Sequence, residues 1–176
     1  MTLDLRAFAE EHVCYEVEML IGTSRMLSPQ PRSVADNAML ESFLVHARLL
    51  DDFLTLKVPK PGSKFEDDVV AGHYIMKWTP RTILTEADRD LVNKFVAHLT
   101  SGRMTKEPVP VLALRAKVLS GFQRFLAELP PAKRPWFDRA AETLSAAAAP
   151  VPVTTTSTTS PSSVMVVGGF QGTATR

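Results

Sequence analysis

Apolar residues recur along most of this chain at helical spacing, three or four apart, with no sustained alternation of the kind a half-buried strand shows. The stretch Ala38 to Leu54 is the clearest case. At about 100° per residue, Leu40, Phe43, Leu44, Ala47, Leu50 and Leu54 share one face, and Asp51 falls inside it. Val45, Leu49 and Phe53 make a second apolar strip, leaving Glu41, Arg48 and Asp52 as the polar stripe. A helix that is apolar on two sides belongs at the centre of a bundle. A carboxylate on its core side needs a partner or a task.

The same pattern predicts helices on either side. A first helix spans about Leu3 to Ile21, with Thr2 as its cap and Gly22 as its stop. The second follows SPQPRS, where Ser33 and Asp36 have capping-box spacing, and runs to about Leu56. A Pro/Gly turn segment, KVPKPGSK, leads to a short helical stretch around Glu66 to Ala71 and an irregular loop with aromatic anchors, GHYIMKWTPRT. A third helix starts at Thr85, with Asp88 three residues on, and ends at Gly102. A fourth covers about Val111 to Leu129, where Pro130-Pro131 stops it, and a last one begins near Pro135 and fades into an alanine run. The expected fold is all-α, an antiparallel helical bundle of four to five helices over residues 1–145. Residues 146–176, rich in Thr, Ser, Pro and Gly, form a low-complexity tail whose composition predicts disorder.

Bulk composition narrows the function classes only a little. With 176 residues, 45% of them apolar, the chain is long enough for one domain with a core. A net charge of +1 gives no global attraction to nucleic acid or anionic membrane. Cys14 is the only cysteine, which excludes an internal disulfide and a cysteine zinc cluster. No apolar run approaches the roughly 18 residues of a membrane span, and the N-terminus has no basic-then-apolar export pattern. A cytoplasmic protein without membrane contact is the expectation.

Four helices carry an ionisable group on an expected inner face. His12 and Glu16 stand four residues apart among Leu5, Phe8, Ala9, Met19 and Leu20, with Tyr15 at the edge. Asp51 has been described. His98 lies among Leu84, Leu91, Phe95 and Leu99, and Arg115 sits within the stripe Val111, Leu112, Val118, Leu119, Phe122 and Leu126. Two readings follow. In one, the set lines a polar pocket between helices, with Glu16 and Asp51 as bases, His12 and His98 as acid/base groups and Arg115 as an anion clamp. In the other it is a structural network, with Arg115 neutralising Asp51 or Glu16 and the histidines completing the hydrogen bonds. A di-metal bundle would need Glu-x-x-His pairs, and none occurs, so neither metal nor cofactor is expected. Gly-rich phosphate loops, Gly-x-Ser-x-Gly and His-Glu-x-x-His are absent. The basic cluster Lys57, Lys60 and Lys64 offers a phosphate contact or a solvated loop.

The layout Glu41-Ser-Phe-Leu-Val-His46-Ala-Arg48 on a central helix, followed by Asp52-Phe53-Leu54, resembles the prokaryotic HEPN-like helical proteins. Asn93-Lys94 and Ala97-His98-Leu99-Thr100 are similar to segments of small bacterial proteins of that build. The resemblance covers residues 3–129. It implies an all-helical, often dimeric protein, and in many members a metal-independent ribonuclease of a toxin, defence or RNA-processing system. The family's signature is an Arg followed by a His after four to six intervening residues. The match here, Arg6-x5-His12, lies on the first helix, whereas the family places it on a later one. Because function belongs to the site rather than the fold, the expectation is a non-catalytic interaction or regulatory module. A metal-independent ribonuclease or nucleotide-directed enzyme is the alternative. The expected partners are a second copy, through helix 2 or the aromatic loop, and an RNA or protein.

Overall fold

The computed structural model describes residues 3–27, 33–96 and 108–148, and every regular element among them is helical. Asp4 opens the first helix, its carboxylate accepting from the Arg6 and Ala7 amides; Thr2, the expected cap, lies outside the described residues. Helix α1 is continuous but not uniform. An α-helical turn, Leu5–Phe8, passes into a π-helical turn, Ala9–Val13, and then into an α-helical run, Cys14–Met26. It does not stop at Gly22, whose backbone stays out of the left-handed region a glycine stop uses. Ser33 and Asp36 form the expected capping box at the start of α2, Val34–Thr55.

Beyond α2, Pro61-Gly62 turns the chain as a proline-glycine pair should. Gly62 has φ 75°, and the Ser63 amide donates to the Lys60 carbonyl at 3.1 Å. The helical stretch expected around Glu66 to Ala71 is instead the end of a turn, at residues 66–67, followed by irregular backbone, and the regular piece is a 3-10 turn at Ala71–His73. The aromatic loop anchors itself inward. Tyr74 donates its hydroxyl to the Leu5 carbonyl at 3.0 Å, and Trp78 donates its indole N–H to the Leu54 carbonyl at 2.9 Å, satisfying an orphan acceptor at the end of α2. Arg124 stacks its guanidinium on the Trp78 ring at 4.0 Å.

Three further helices follow among the described residues: α3, Glu86–Val96; α4, Val111–Glu128; and α5, Asp138–Ala148, preceded by a 3-10 segment, Pro131–Phe137. The expected end of α3 at Gly102 lies outside the described residues, as does the tail. Helix α5 continues three residues past 145, and Arg25 of α1 donates to its Ala146 carbonyl at 3.2 Å.

Side-chain contacts fix the directions. Glu16 meets His46, while Phe8 shares a cleft with Leu49 and Phe53, so α1 and α2 are antiparallel. Cys14 reaches Trp136, Glu18 reaches Arg139 and Arg25 reaches Ala146, so α5 runs alongside α1 in the same direction. The core centres on Phe125 of α4, whose ring packs edge-on against Phe53 at 5.2 Å, Trp78 at 5.8 Å and Phe137 at 5.1 Å. That ring sets the rotation of α4. Its buried stripe is Leu114, Val118, Phe122 and Phe125, while Leu112 is 73% exposed. No described helix is long and apolar enough to cross a membrane.

Candidate functional site

Of the five residues expected on inner faces, the four described ones, His12, Glu16, Asp51 and Arg115, do not gather into one site. Asp51 is buried as expected, 1% exposed, but its partner is Arg89 of α3 and not Arg115. Its Oδ1 accepts the Leu84 amide at 3.2 Å, and its Oδ2 lies 2.8 Å from Arg89 Nε. The Nε hydrogen is not aimed at that oxygen, so this contact is Coulombic. The guanidinium's directed bond goes to Thr55 Oγ1 at 2.9 Å. Leu84 stands just ahead of α3, where a buried amide has no helical acceptor. Asp51 therefore seats the entry of α3 on α2, a structural task.

Arg115 sits at the edge of the α4 stripe, half-buried, six residues or about 9 Å of helix before Gly121, which packs near Leu54. Burial first, and then the neighbouring Arg25, push its guanidinium below the ordinary arginine range. It forms no clamp with a carboxylate of the candidate set. His98 lies outside the described residues.

His12 and Glu16 do share one site, but not the one expected. The expected α-helical phase would bury His12; it is exposed, its ring tilted over Phe8 at 4.9 Å. The π-helical turn explains this. It winds less per residue than an α-helix, so the buried stripe of α1 becomes Ala9, Val13, Val17 and Leu20, and His12 moves to the rim. Glu16 is turned toward α2, with its side chain 22% exposed, and its Oε2 lies 2.6 Å from His46 Nδ1. An ionised carboxylate only accepts, so the ring nitrogen donates. This is the one polar bridge described between the two longest helices, and Tyr15 packs edge-on against the His46 ring at 5.7 Å.

His46 and Arg89 are the residues that the inner-face reading missed. A signal existed for His46: it is three residues after Phe43 and four before Leu50, squarely between two buried positions. Arg89 had a weaker one, three residues before the buried Val92.

Beside the Glu16–His46 bridge, a cleft of about 260 Å³ opens between α1, α2 and the loop at Val69. Phe8 and Phe53 give it aromatic walls, and Val13, Leu49 and Leu50 an aliphatic floor. Among the described residues, His12 and Glu16 are its polar lining and no Lys or Arg lines it. Leu49 remains 46% exposed and the adjacent Val45 36% exposed, so the second apolar strip of α2 is covered by the chain at Phe53 and open at its other two positions. Among the described residues, no group of three His, Cys, Asp or Glu side chains is arranged to hold a metal. Cys14 is buried, which pushes its thiol above the ordinary range and away from the reactive thiolate.

No known protein family, curated protein or solved structure matches this chain. The functional reading therefore rests on the cleft and its bridge.

Proposed function

We propose that this is a HEPN-like helical-bundle protein that acts as a non-catalytic interaction or regulatory module, binding through the α1–α2 cleft. One observation carries the reading: the buried charges are used within the fold, while the open cleft is lined mainly by apolar side chains. Asp51 is committed to Leu84 and Arg89, and Arg6, the cation of the Arg6-x5-His12 match, is paired with Glu10 at 2.8 Å. The HEPN-like part rests on the sequence resemblance of the Glu41–Asp52 segment, which lies on α2, the helix that packs against α1, α3 and α4. A second copy of this chain would meet α2 at Val45, outside the cleft, because Tyr74 and Trp78 of the aromatic loop are engaged inside the chain.

The Glu16–His46 bridge favours one second reading, a metal-independent hydrolase in which the carboxylate orients the imidazole as a base. Phosphodiester cleavage also needs a cation beside the base to steady the phosphorane, and no Lys or Arg among the described residues lines the cleft. The test is incubation of purified protein with mixed RNA substrates, beside folded His12→Ala and His46→Ala variants. No cleavage above background is expected. Robust cleavage that disappears in either variant would overturn the non-catalytic reading in favour of the ribonuclease.

A further inference from the structure

Three features of the cleft narrow what it binds. Its volume of about 260 Å³ falls below the roughly 300–1,000 Å³ of drug-sized sites, so the occupant is small. Its walls at Phe8, Phe53 and Leu49 favour an apolar or aromatic body. Among the described residues its one formally charged lining residue is Glu16, with no Lys or Arg beside it and the His46 ring as the partner of its Oε2. His46 holds Glu16 through Oε2, which fixes the carboxylate, and no polar partner is described for Oε1. A fixed acceptor at the edge of an apolar wall recognises a hydrogen-bond donor at the end of an apolar group, and a charged donor most strongly.

We propose that the α1–α2 cleft is a binding site for a small hydrophobic primary amine. The apolar body lies against Phe8, Phe53 and Leu49, and the ammonium donates to Glu16. His46 acts as a positioning residue: it touches Glu16, not the ligand, and holds the carboxylate in place at the side of the cleft. The identity of the site rests on the interaction-module reading above and adds the ligand class to it. The two fail separately, since RNA cleavage tests catalysis and amine binding tests the cleft.

The probes are 2-phenylethylamine, 2-phenylethanol and 3-phenylpropionate, three molecules of similar apolar body with a cationic, neutral and anionic end. Each is titrated into the full chain by calorimetry, with backbone amide NMR to map the site. The amine should bind about tenfold tighter than the alcohol, as a charge-assisted bond should exceed a neutral one, and the acid should bind weakest. The perturbed amides should cluster at Phe8, Glu16, Leu49 and Val69. Glu16→Gln should bring the amine down to the affinity of the alcohol. Leu49→Lys, at a half-exposed position where the fold tolerates it, should weaken the amine while leaving the melting temperature near wild type. The wild-type series reads the charge preference with no substitution at all, so a poorly folded Glu16 variant does not rescue the idea. Equal or tighter binding of the acid or the alcohol, perturbations mapping elsewhere, or no binding of the amine at millimolar concentration would each overturn it.

Discussion

At the scale of single residues, the buried carboxylate on α2 shows how one side chain is compelled without being catalytic. Asp51 has one oxygen on the Leu84 amide and the other beside Arg89, so removing charge from one partner is not equivalent to removing it from the other. Asp51→Asn keeps an acceptor for Leu84 and frees Arg89, which is 42% exposed and able to reach water; it should cost about 1 kcal/mol. Arg89→Met strands a carboxylate that is almost wholly buried and should cost about 3 kcal/mol. The double variant should cost less than the sum, because the second change removes the charge that the first left unpaired. Urea denaturation of the three variants measures all of this. Equal single costs with simple additivity would mean that the two groups do not interact. That Asp51 lies inside was legible from its neighbours in sequence. That its partner is Arg89 was not, since the pairing joins two helices across a loop of irregular backbone.

At the scale of elements, caps were the most legible features and helical phase the least. Ser33 and Asp36 close α2, and Thr85 and Asp88 close α3, because both boxes are local in sequence and need no tertiary contact. The α3 box also carries a pH dependence. Burial by itself would raise the Asp88 carboxyl, but hydrogen bonds from Lys117 and from the Thr85 hydroxyl and amide outweigh it, holding the group below the ordinary carboxylate range. A carboxyl depressed in the folded state stabilises above its unfolded pKa of about 4, and that contribution is lost as pH falls through the folded value. Wild-type stability should therefore drop between pH 5 and 3 more steeply than that of Asp88→Asn, which lacks the titrating group. Chemical denaturation across this window is the check, and parallel profiles would remove Asp88 from the account. Phase failed in α1 and α4 for separate physical reasons. A π-helical turn rotated everything after Phe8 in α1 relative to an ideal helix, and packing around Phe125 rotated α4 so that Leu114 is buried while Arg115 stays at the edge.

At the scale of the whole molecule, the bundle holds together through residues that lie far apart in the chain. Tyr74 reaches Leu5, Trp78 reaches Leu54, and Arg25 reaches Ala146, so the last described helix is tied to the first. The Thr-, Ser- and Pro-rich composition beyond Ala148 has no face pattern to bury, so a chain ending there should melt within about 2 °C of the full chain. A drop of several degrees in calorimetry would show that the tail beyond Ala148 packs on the bundle. By itself, the sequence determined the all-helical class, the helix starts at Ser33 and Thr85, the proline-glycine turn at Gly62 and the burial of Asp51. Each of these follows from local periodicity or from hydrogen bonds between near neighbours. Only the tertiary structure decided which polar residues meet. It joined Glu16 to His46 and Asp51 to Arg89, exposed His12, and left Arg115 half-buried at the edge of its stripe. A small change in winding or helix rotation moves a side chain from one face to the next, and the packing of large rings such as Phe125, not the local sequence, sets that rotation.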